Sequence, residues 1–518
     1  MGAVACVLDS LTVSAIVAGV VVAATGGGAL AGLPLTRPEA FVVAASVLAG
    51  LRALCIPFAI FSRVRAWQAI VAYIVAMGFI VVTRHHALRT HALDLGQYAQ
   101  TIWSIAYGYG ATFTVIPEYV TTVRMNAWGD HFSPILYALV PVVRLVPSVS
   151  LVLLIQTVAL ALGALAVGHY TLRRAEIAQT ANAPAIAGAF AAVYLLNPSL
   201  HGINLRDIHP AAFTIPLILA AAAAHDARRF GWCALAVVAT AACREDAAVA
   251  VVGFGIWLAL ARRRWMAGAA VAVAAVLLLA VDLKVLMPYF RDGAGYHHLY
   301  RYTHLGGDLG EILVTLALRP WRWLAVLFTV PKLVYALAML APLGFLPVLA
   351  PAVLAAAAPS LAMNLFSVDP ILVNHRSQYQ AFVLPFLVLA AVDGYFVLRA
   401  RMGDRRLPGI ALGAAACLAL ILTSRTFNDF SIRNWRPGPD QRAAHALMAR
   451  VPGNVAVSAN ERLVSHFSMR RDVFVFPRGL AISRFVIERA EVLAKTPVPG
   501  FTETARGGGW VLLERIRD

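Results

Sequence analysis

Three short polar islands interrupt an otherwise apolar chain, and each holds groups that can move a proton or hold an anion. Asp130 and His131 stand in WGDHFSP, residues Trp128–Pro134. Asp207 and His209 stand in NLRDIHP, residues Asn204–Pro210. Arg244, Glu245 and Asp246 stand in CREDAA, residues Cys243–Ala248. A fourth carboxylate, Asp94, lies alone in THALDLGQYAQTIW, Thr90–Trp103, ahead of Gln97 and Gln100. A carboxylate can take the proton of an acceptor hydroxyl. Arginine can neutralise a phosphate leaving group. Asp130, His131, Asp207 and His209 could together hold a divalent cation, magnesium or manganese if oxygens dominate and zinc if imidazoles do. These are the parts of a glycosyl or phosphoryl transfer. Each island also has a plainer reading. Asp94 can be a helix cap; Asp and His before Pro can cap and turn; Arg244 can simply neutralise Glu245 or Asp246. Charges between apolar segments are costly unless paired or wet, so four such places make Asp94, Asp130, Glu245 and Asp246 candidate catalytic residues.

Two further polar segments offer ligands for a substrate. Tyr296–His304 (YHHLYRYTH) mixes imidazoles and aromatics around Arg301. It could clamp a phosphate and stack on a sugar, or form an interfacial aromatic belt. His375 and Arg376 lie in an island just before an apolar run. With Gln97, Gln100 and Arg244, the residues Arg301, His375 and Arg376 are the candidate substrate-binding set.

The elements that must position these residues are membrane helices. Of 518 residues, 60% are hydrophobic and only 13% charged, more apolar surface than a soluble fold can hide. Apolar runs recur from residue 8 to residue 424 and predict an all-α polytopic membrane protein of about 11–13 transmembrane helices. The net charge of +17 is almost all arginine, since the only lysines are Lys284, Lys332 and Lys495. No nucleic-acid motif accompanies it, and arginine-rich turns facing anionic lipid explain it. Arg63 and Arg65, Arg173 and Arg174, Arg228 and Arg229, Arg262–Arg264, and Arg399, Arg401, Arg405 and Arg406 follow alternate spans. That side is expected to be cytoplasmic, with the N-terminus, in the cytoplasmic (inner) membrane. Every polar island then faces outward, as does the C-terminal segment. The five cysteines lie in or beside apolar runs with no CxxC spacing and read as small core residues.

The organisation expected is an N-terminal hairpin (1–66), a transmembrane region (67–424) with a long outer loop (84–132), and a C-terminal α/β unit (425–518). In the last, Asp440–Arg450 and Glu461–Ser468 read as helix; Asn454–Asn460, Asp472–Phe476 and Trp510–Leu513 read as strands. Asp94 to Trp103 is expected to form a helix on the membrane surface. A transporter or lipid flippase would instead place charge within the spans. Arg52 is the clearest such residue; Asp282 and Lys284 could compensate each other. A non-catalytic scaffold would leave the islands unexplained.

As a set, the motifs resemble a family of prokaryotic membrane proteins known as domain of unknown function 2079. The resemblance is carried by DLGQYAQTIW at Asp94–Trp103, GDHFSP at Gly129–Pro134, the Asn197, Asp207, His209 and Pro210 pattern, and CREDAA. Pro288–Tyr302, His375–Tyr379 and Val457–His466 complete it, over roughly Val71 to Phe476. That family is similar, more distantly, to the GT-C class of membrane glycosyltransferases. The similarity implies a GT-C-like fold, a polyprenyl-phosphate sugar as donor, and Asp94 as base or metal-holding carboxylate. GT-C enzymes often carry a paired acidic motif in the first outer loop; here Asp94 stands alone and Asp130 is far along the same loop.

Overall fold

The structure is a computed structural model and describes residues 2–30, 32–55, 66–116, 122–180, 182–402, 406–429 and 431–516. Arg63, Arg65 and Arg405, used above to orient the chain, lie outside these residues. The chain is an all-α polytopic membrane protein with a small α/β unit at its C-terminal end. Among the described residues five helices are long and apolar enough to cross a bilayer: Ala3–Thr25, Ala66–His86, Val149–Ile177, Trp265–Tyr289 and Leu407–Ser424. Two bent pairs, Ala183–Leu195 with Pro198–Leu205 and Pro320–Leu327 with Val330–Leu343, turn through 45° and 67°. Five more apolar helices have only 10–17 residues, and the number of spans expected from the sequence is reached only by counting them. Proline explains much of the shortening. Pro134, Pro198, Pro210 and Pro351 each stand in the first turn of a helix and end what precedes it.

Apolar burial drives no association between helices already in lipid, so close packing of small residues must do it. Gly255 and Gly268 show this. A Cβ on Gly255 would sit 2.6 Å from the Gly268 carbonyl oxygen, and one on Gly268 would sit 2.4 Å from that of Gly255. Several charges in the bundle are paired. Arg52 meets Asp9 at 2.8 Å, so it is a link between the first two helices. At one end of the bundle Arg262 grips Asp226 through two bonds of 2.8 and 2.7 Å, Arg174 meets Asp393 at 2.8 Å, and the Tyr170 hydroxyl donates to Asp393 at 3.1 Å. Asp282 departs from expectation. It is buried, one of its carboxyl oxygens makes no hydrogen bond, and among the described residues no ion pair joins it to Lys284.

The C-terminal unit is a five-stranded sheet: β1 (Val457–Ala459), β2 (Val473–Val475), β3 (Phe485–Arg489), β4 (Phe501–Gly507) and β5 (Trp510–Arg515). The order is β2-β1-β3-β5-β4, with β1 parallel to β2 and β3 and the last two pairings antiparallel. Helix Pro439–Met448 packs on the sheet, burying Ala444, Leu447 and Met448. The preceding helix Arg406–Asp429 runs straight through residue 424.

The helix expected on the membrane surface is Gln97–Ala106, and it is buried instead, from Gln97 through Ile102. It lies between the bundle and the C-terminal unit, and Gln100 joins the two. Its amide nitrogen donates to Thr114 Oγ1 at 2.9 Å, to the Arg470 carbonyl at 3.3 Å and to the Arg471 carbonyl at 3.0 Å; its oxygen accepts from Thr114 N at 2.8 Å. Thr114 Oγ1 then donates to the Val473 carbonyl at 2.6 Å. Removing a buried partner leaves the others desolvated and unmade, at about 1–3 kcal/mol for each group. Gln100→Ala should therefore lower the thermal midpoint of the detergent-purified protein and speed proteolysis of the C-terminal unit, whereas Thr504→Ala, at an exposed position of β4, should do neither.

Candidate functional site

The islands converge. A cavity of about 680 Å³ is lined by Asp94, Gln97, Asp130, His131, Asp207, His209, Arg244 and Arg301, residues drawn from five separate segments of the chain. A second cavity of about 370 Å³ adjoins it. This one is walled by Leu279, Leu283, Leu299, Leu313, Leu316 and Phe366, with Glu245 and Asp246 at its polar edge. His298, Arg301 and Tyr379 line both, so the two meet there.

Each wall has a local cause. Ahead of helix Gln97–Ala106 the chain makes a tight turn, with Asp94 at φ 65°, ψ −79°. This is close to the rare γ-turn of positive φ, a strained conformation for a residue with a Cβ. Among the described residues no backbone N–H of this helix donates to the Asp94 carboxylate, so Asp94 does not cap it. The Asp94 carboxylate is half-exposed in the cavity, 3.8 Å from His209 Nδ1. Asp130 ends a one-turn helix capped by Asn126, and Gln97 donates to its carboxylate at 2.6 Å.

Asp207 and His209 follow helix Pro198–Leu205, which is buried along its length. Gln156, buried in the long helix Val149–Ile177, holds the turn that follows. It donates to the Asp207 carbonyl at 2.9 Å and accepts from His209 N at 2.8 Å. Asp207 takes φ 63° there. Loss of solvent, and then the neighbouring Asp94 carboxylate, push Asp207 up to about 7, against the opposing His91 N–H.

The third island splits its charges. Arg244 grips Asp246 with two bonds of 2.6 and 2.5 Å. Glu245 turns the other way and accepts from His131 Nδ1 at 2.8 Å, Phe132 N at 3.1 Å and Tyr296 OH at 3.1 Å. Burial would raise the Glu245 carboxyl, but the His131 charge and hydrogen bond, with Arg244, bring it below its ordinary value. Tyr379 lies between two guanidiniums. Arg244 sits 5.4 Å from its ring centre and Arg301 4.9 Å. Arg301 also donates to Tyr379 OH at 2.7 Å and to Asp369 at 3.1 Å.

Three expected ligands fall elsewhere. Gln100 is spent on the joint described above. Arg376 is buried with its backbone against Gly202, where a Cβ would meet the Arg376 carbonyl oxygen at 2.5 Å. His375 lines neither cavity. The cation proposed for Asp130, His131, Asp207 and His209 finds no ligand set. Among the described residues no group of three or more His, Cys, Asp or Glu is placed to hold a metal ion. Each of the four has a different partner instead: His209 lies near Asp94, His131 bonds to Glu245, Asp130 accepts from Gln97 and Asp207 accepts from the His91 amide.

Other lining residues lay in segments already noticed, such as His91, His298 and Tyr379, but were not singled out there. Arg84, Arg89 and Arg206 read as ordinary flanking charges, and Asp369 and Glu461 carried no signal of their own. Gln156 did carry one: an amide amid an apolar span must bond to something. The finished polar cavity sets five arginines against five acidic residues, so it is not a simple anion trap.

A family model described as "Predicted membrane protein (DUF2079)" matches residues 84–506. Two solved structures align with most of the chain. One is ArnT from Cupriavidus metallidurans bound to undecaprenyl phosphate, at 14% identity and TM-score 0.48, covering 86% of this chain and 98% of that one. The other is the same protein in the apo state, at 13% identity and TM-score 0.47, with the same coverage. No curated protein matches the chain.

Asp207 generates a pH signature. Its folded value of about 7 lies above its ordinary 3.8, so the folded state binds the extra proton between those limits and loses stability as pH rises through them. Asp207→Asn cannot lose that proton. Its thermal midpoint should therefore rise relative to wild type between pH 4 and pH 7 and then hold a constant offset; parallel curves across that window would contradict the assignment.

Proposed function

Because the chain belongs to the DUF2079 family of membrane proteins, its chemistry is set at a bilayer, and we propose that it is an integral membrane glycosyltransferase. It moves a sugar from a polyprenyl-phosphate donor to an acceptor at the extracytoplasmic face of the cytoplasmic membrane, with the N-terminus inside and the C-terminal unit outside. One observation carries this reading: a polar cavity and an apolar cavity meet at a wall of Arg301, Tyr379 and His298. An amphiphile with a phosphate between tail and head fits that arrangement. The tail occupies the apolar side among membrane helices. The phosphate meets the arginines at the junction. The sugar reaches into the polar cavity.

The chemistry follows from the walls. An acceptor hydroxyl near Asp94 gives its proton to the half-exposed carboxylate. Its oxygen bonds to the anomeric carbon, and the bond from that carbon to the phosphate oxygen breaks. The electron pair leaves on the lipid phosphate, where Arg301 and Arg244 offset the charge. Attack from the side opposite the phosphate inverts the anomeric centre. Asp246 holds Arg244 in place, and Gln97 holds Asp130.

The test is transfer from radiolabelled polyprenyl-phosphate sugars by the purified protein. Loss of the base in Asp94→Asn should lower the rate by about 10²–10⁴. Arg301→Gln should chiefly weaken the use of donor. Absence of transfer with every donor, together with substrate flux in proteoliposomes, would overturn the proposal in favour of a transporter.

A further inference from the structure

One buried group has no role in the scheme above. Glu245 is fully buried, and every hydrogen bond it accepts serves to hold something else: the His131 ring, the Phe132 amide and the Tyr296 hydroxyl. A carboxylate accepting from Nδ1 fixes both the orientation of the imidazole and its protonation pattern, leaving Nε2 to meet a ligand. The His131 ring lines the polar cavity. Its face lies on His298, with ring centres 4.7 Å apart and planes 6° from parallel. His298 lines both cavities, so the dyad stands beside their junction.

The geometry points to His131, held by Glu245, as a phosphate-binding residue: its Nε2–H donates to the lipid phosphate at the cavity junction, and Glu245 is the positioning residue behind it. This rests on reading the paired cavities as a lipid-phosphate site. It adds to that reading a third cationic donor, besides Arg301 and Arg244, and gives the buried carboxylate a purpose. It also divides the site. The dyad and the arginines serve the departing phosphate, while Asp94, with Asp207 and His209 beside it, serves the acceptor.

The charge state agrees with the geometry. Burial alone would strip the proton from His131, and Arg244 works the same way. The Glu245 charge and hydrogen bond, with Asp130, outweigh them and leave the imidazole above its ordinary value. Tyr296 and His298 face the pair from the segment that separates the cavities.

The experiment is binding of farnesyl phosphate, with farnesol as the uncharged control, to the full-length purified protein. Wild type should prefer the phosphate. His131→Gln should lose about tenfold or more in affinity for farnesyl phosphate, the scale of a charge-assisted hydrogen bond, with farnesol binding unchanged. Glu245→Gln should weaken phosphate binding more at pH 8 than at pH 6, because an imidazole without its carboxylate gives up its proton at lower pH; a merely structural Glu245 would show no such pH dependence. Thermal unfolding checks that this variant folds, and His131→Gln, on the cavity wall, carries the test if it does not. Should His131→Gln retain the wild-type preference while Arg301→Gln loses it, the dyad takes no part in anion binding and the inference falls, with the reading of the cavities intact. Should wild type itself not distinguish farnesyl phosphate from farnesol, that reading falls too.

Discussion

The structure depends on how Arg244 and Glu245 are buried. Both are almost wholly removed from solvent, 2% and 1% exposed, in the turn between two short apolar helices. A charge in such a place costs several kcal/mol unless it is paired and its hydrogen bonds are made. Neighbours in sequence with opposite charges could have satisfied each other. They do not. Arg244 closes on Asp246, two residues on, and Glu245 must find a cation and donors from outside the turn. It finds them in His131 and Phe132 of the first loop and Tyr296 of the partition segment. One electrostatic requirement thus fastens three distant parts of the chain at one point, and that point is where the two cavities meet.

The other end of the bundle meets the same requirement differently. Arg174, Arg262, Asp226, Asp393 and Tyr170 form a closed set of ion pairs and hydrogen bonds, with the Arg262 guanidinium 4.3 Å from the Trp257 ring centre. The charges there are paired within the cluster, and His225 adds a further contact to Asp226. At the cavity end, among the described residues, no hydrogen bond reaches the Asp94 carboxylate, which lies 3.8 Å from His209 Nδ1, and the Asp207 carboxylate accepts only from the His91 amide at 3.3 Å. A charge cluster that satisfies itself is a fastening. One that leaves carboxylates open to a cavity has capacity left for a substrate. The contrast between the two ends supports placing the proposed chemistry at the cavity end without reference to either cavity's size.

Much of this site was legible because the membrane simplifies the sequence. Against apolar runs, DHF, RDIHP and CRED stand out, and the cost of burying charge supplies the reason to expect them together. Asp94, Asp130, His131, Asp207, His209, Arg244 and Arg301 do share one cavity. What was not legible depends on facts that no local pattern carries. Gln100 sits one helical turn from Gln97, yet Gln97 meets Asp130 while Gln100 faces the C-terminal sheet, because helix Gln97–Ala106 is covered on both sides. Arg376 looked like a phosphate ligand, but the absence of a side chain at Gly202 lets its backbone sink against a buried helix. The fold was readable to a similar degree. Helix positions followed hydropathy, whereas prolines shortened or bent several spans, and β3 and β4 had no alternation strong enough to announce them.

Strain at the acidic residues is the remaining link between fold and chemistry. Asp94 and Asp207 both take positive φ, at 65° and 63°, and both line the polar cavity. Aspartate tolerates this better than most residues, but it still costs of order 1–3 kcal/mol when held outside the favoured regions. Such a conformation persists only where the surroundings over-determine it. They do so in each case. The Asp207 turn is clamped by Gln156 on both sides. The Asp94 turn follows Thr90, which bonds to His85 and to Ser465 of the C-terminal unit, and precedes the helix that Gln100 anchors. The C-terminal unit therefore helps hold a carboxylate more than three hundred residues away in a turn it would not adopt alone. Its place in the molecule follows from that: the sheet is a brace for the first loop, and the bundle presents the loop's carboxylate to the cavity.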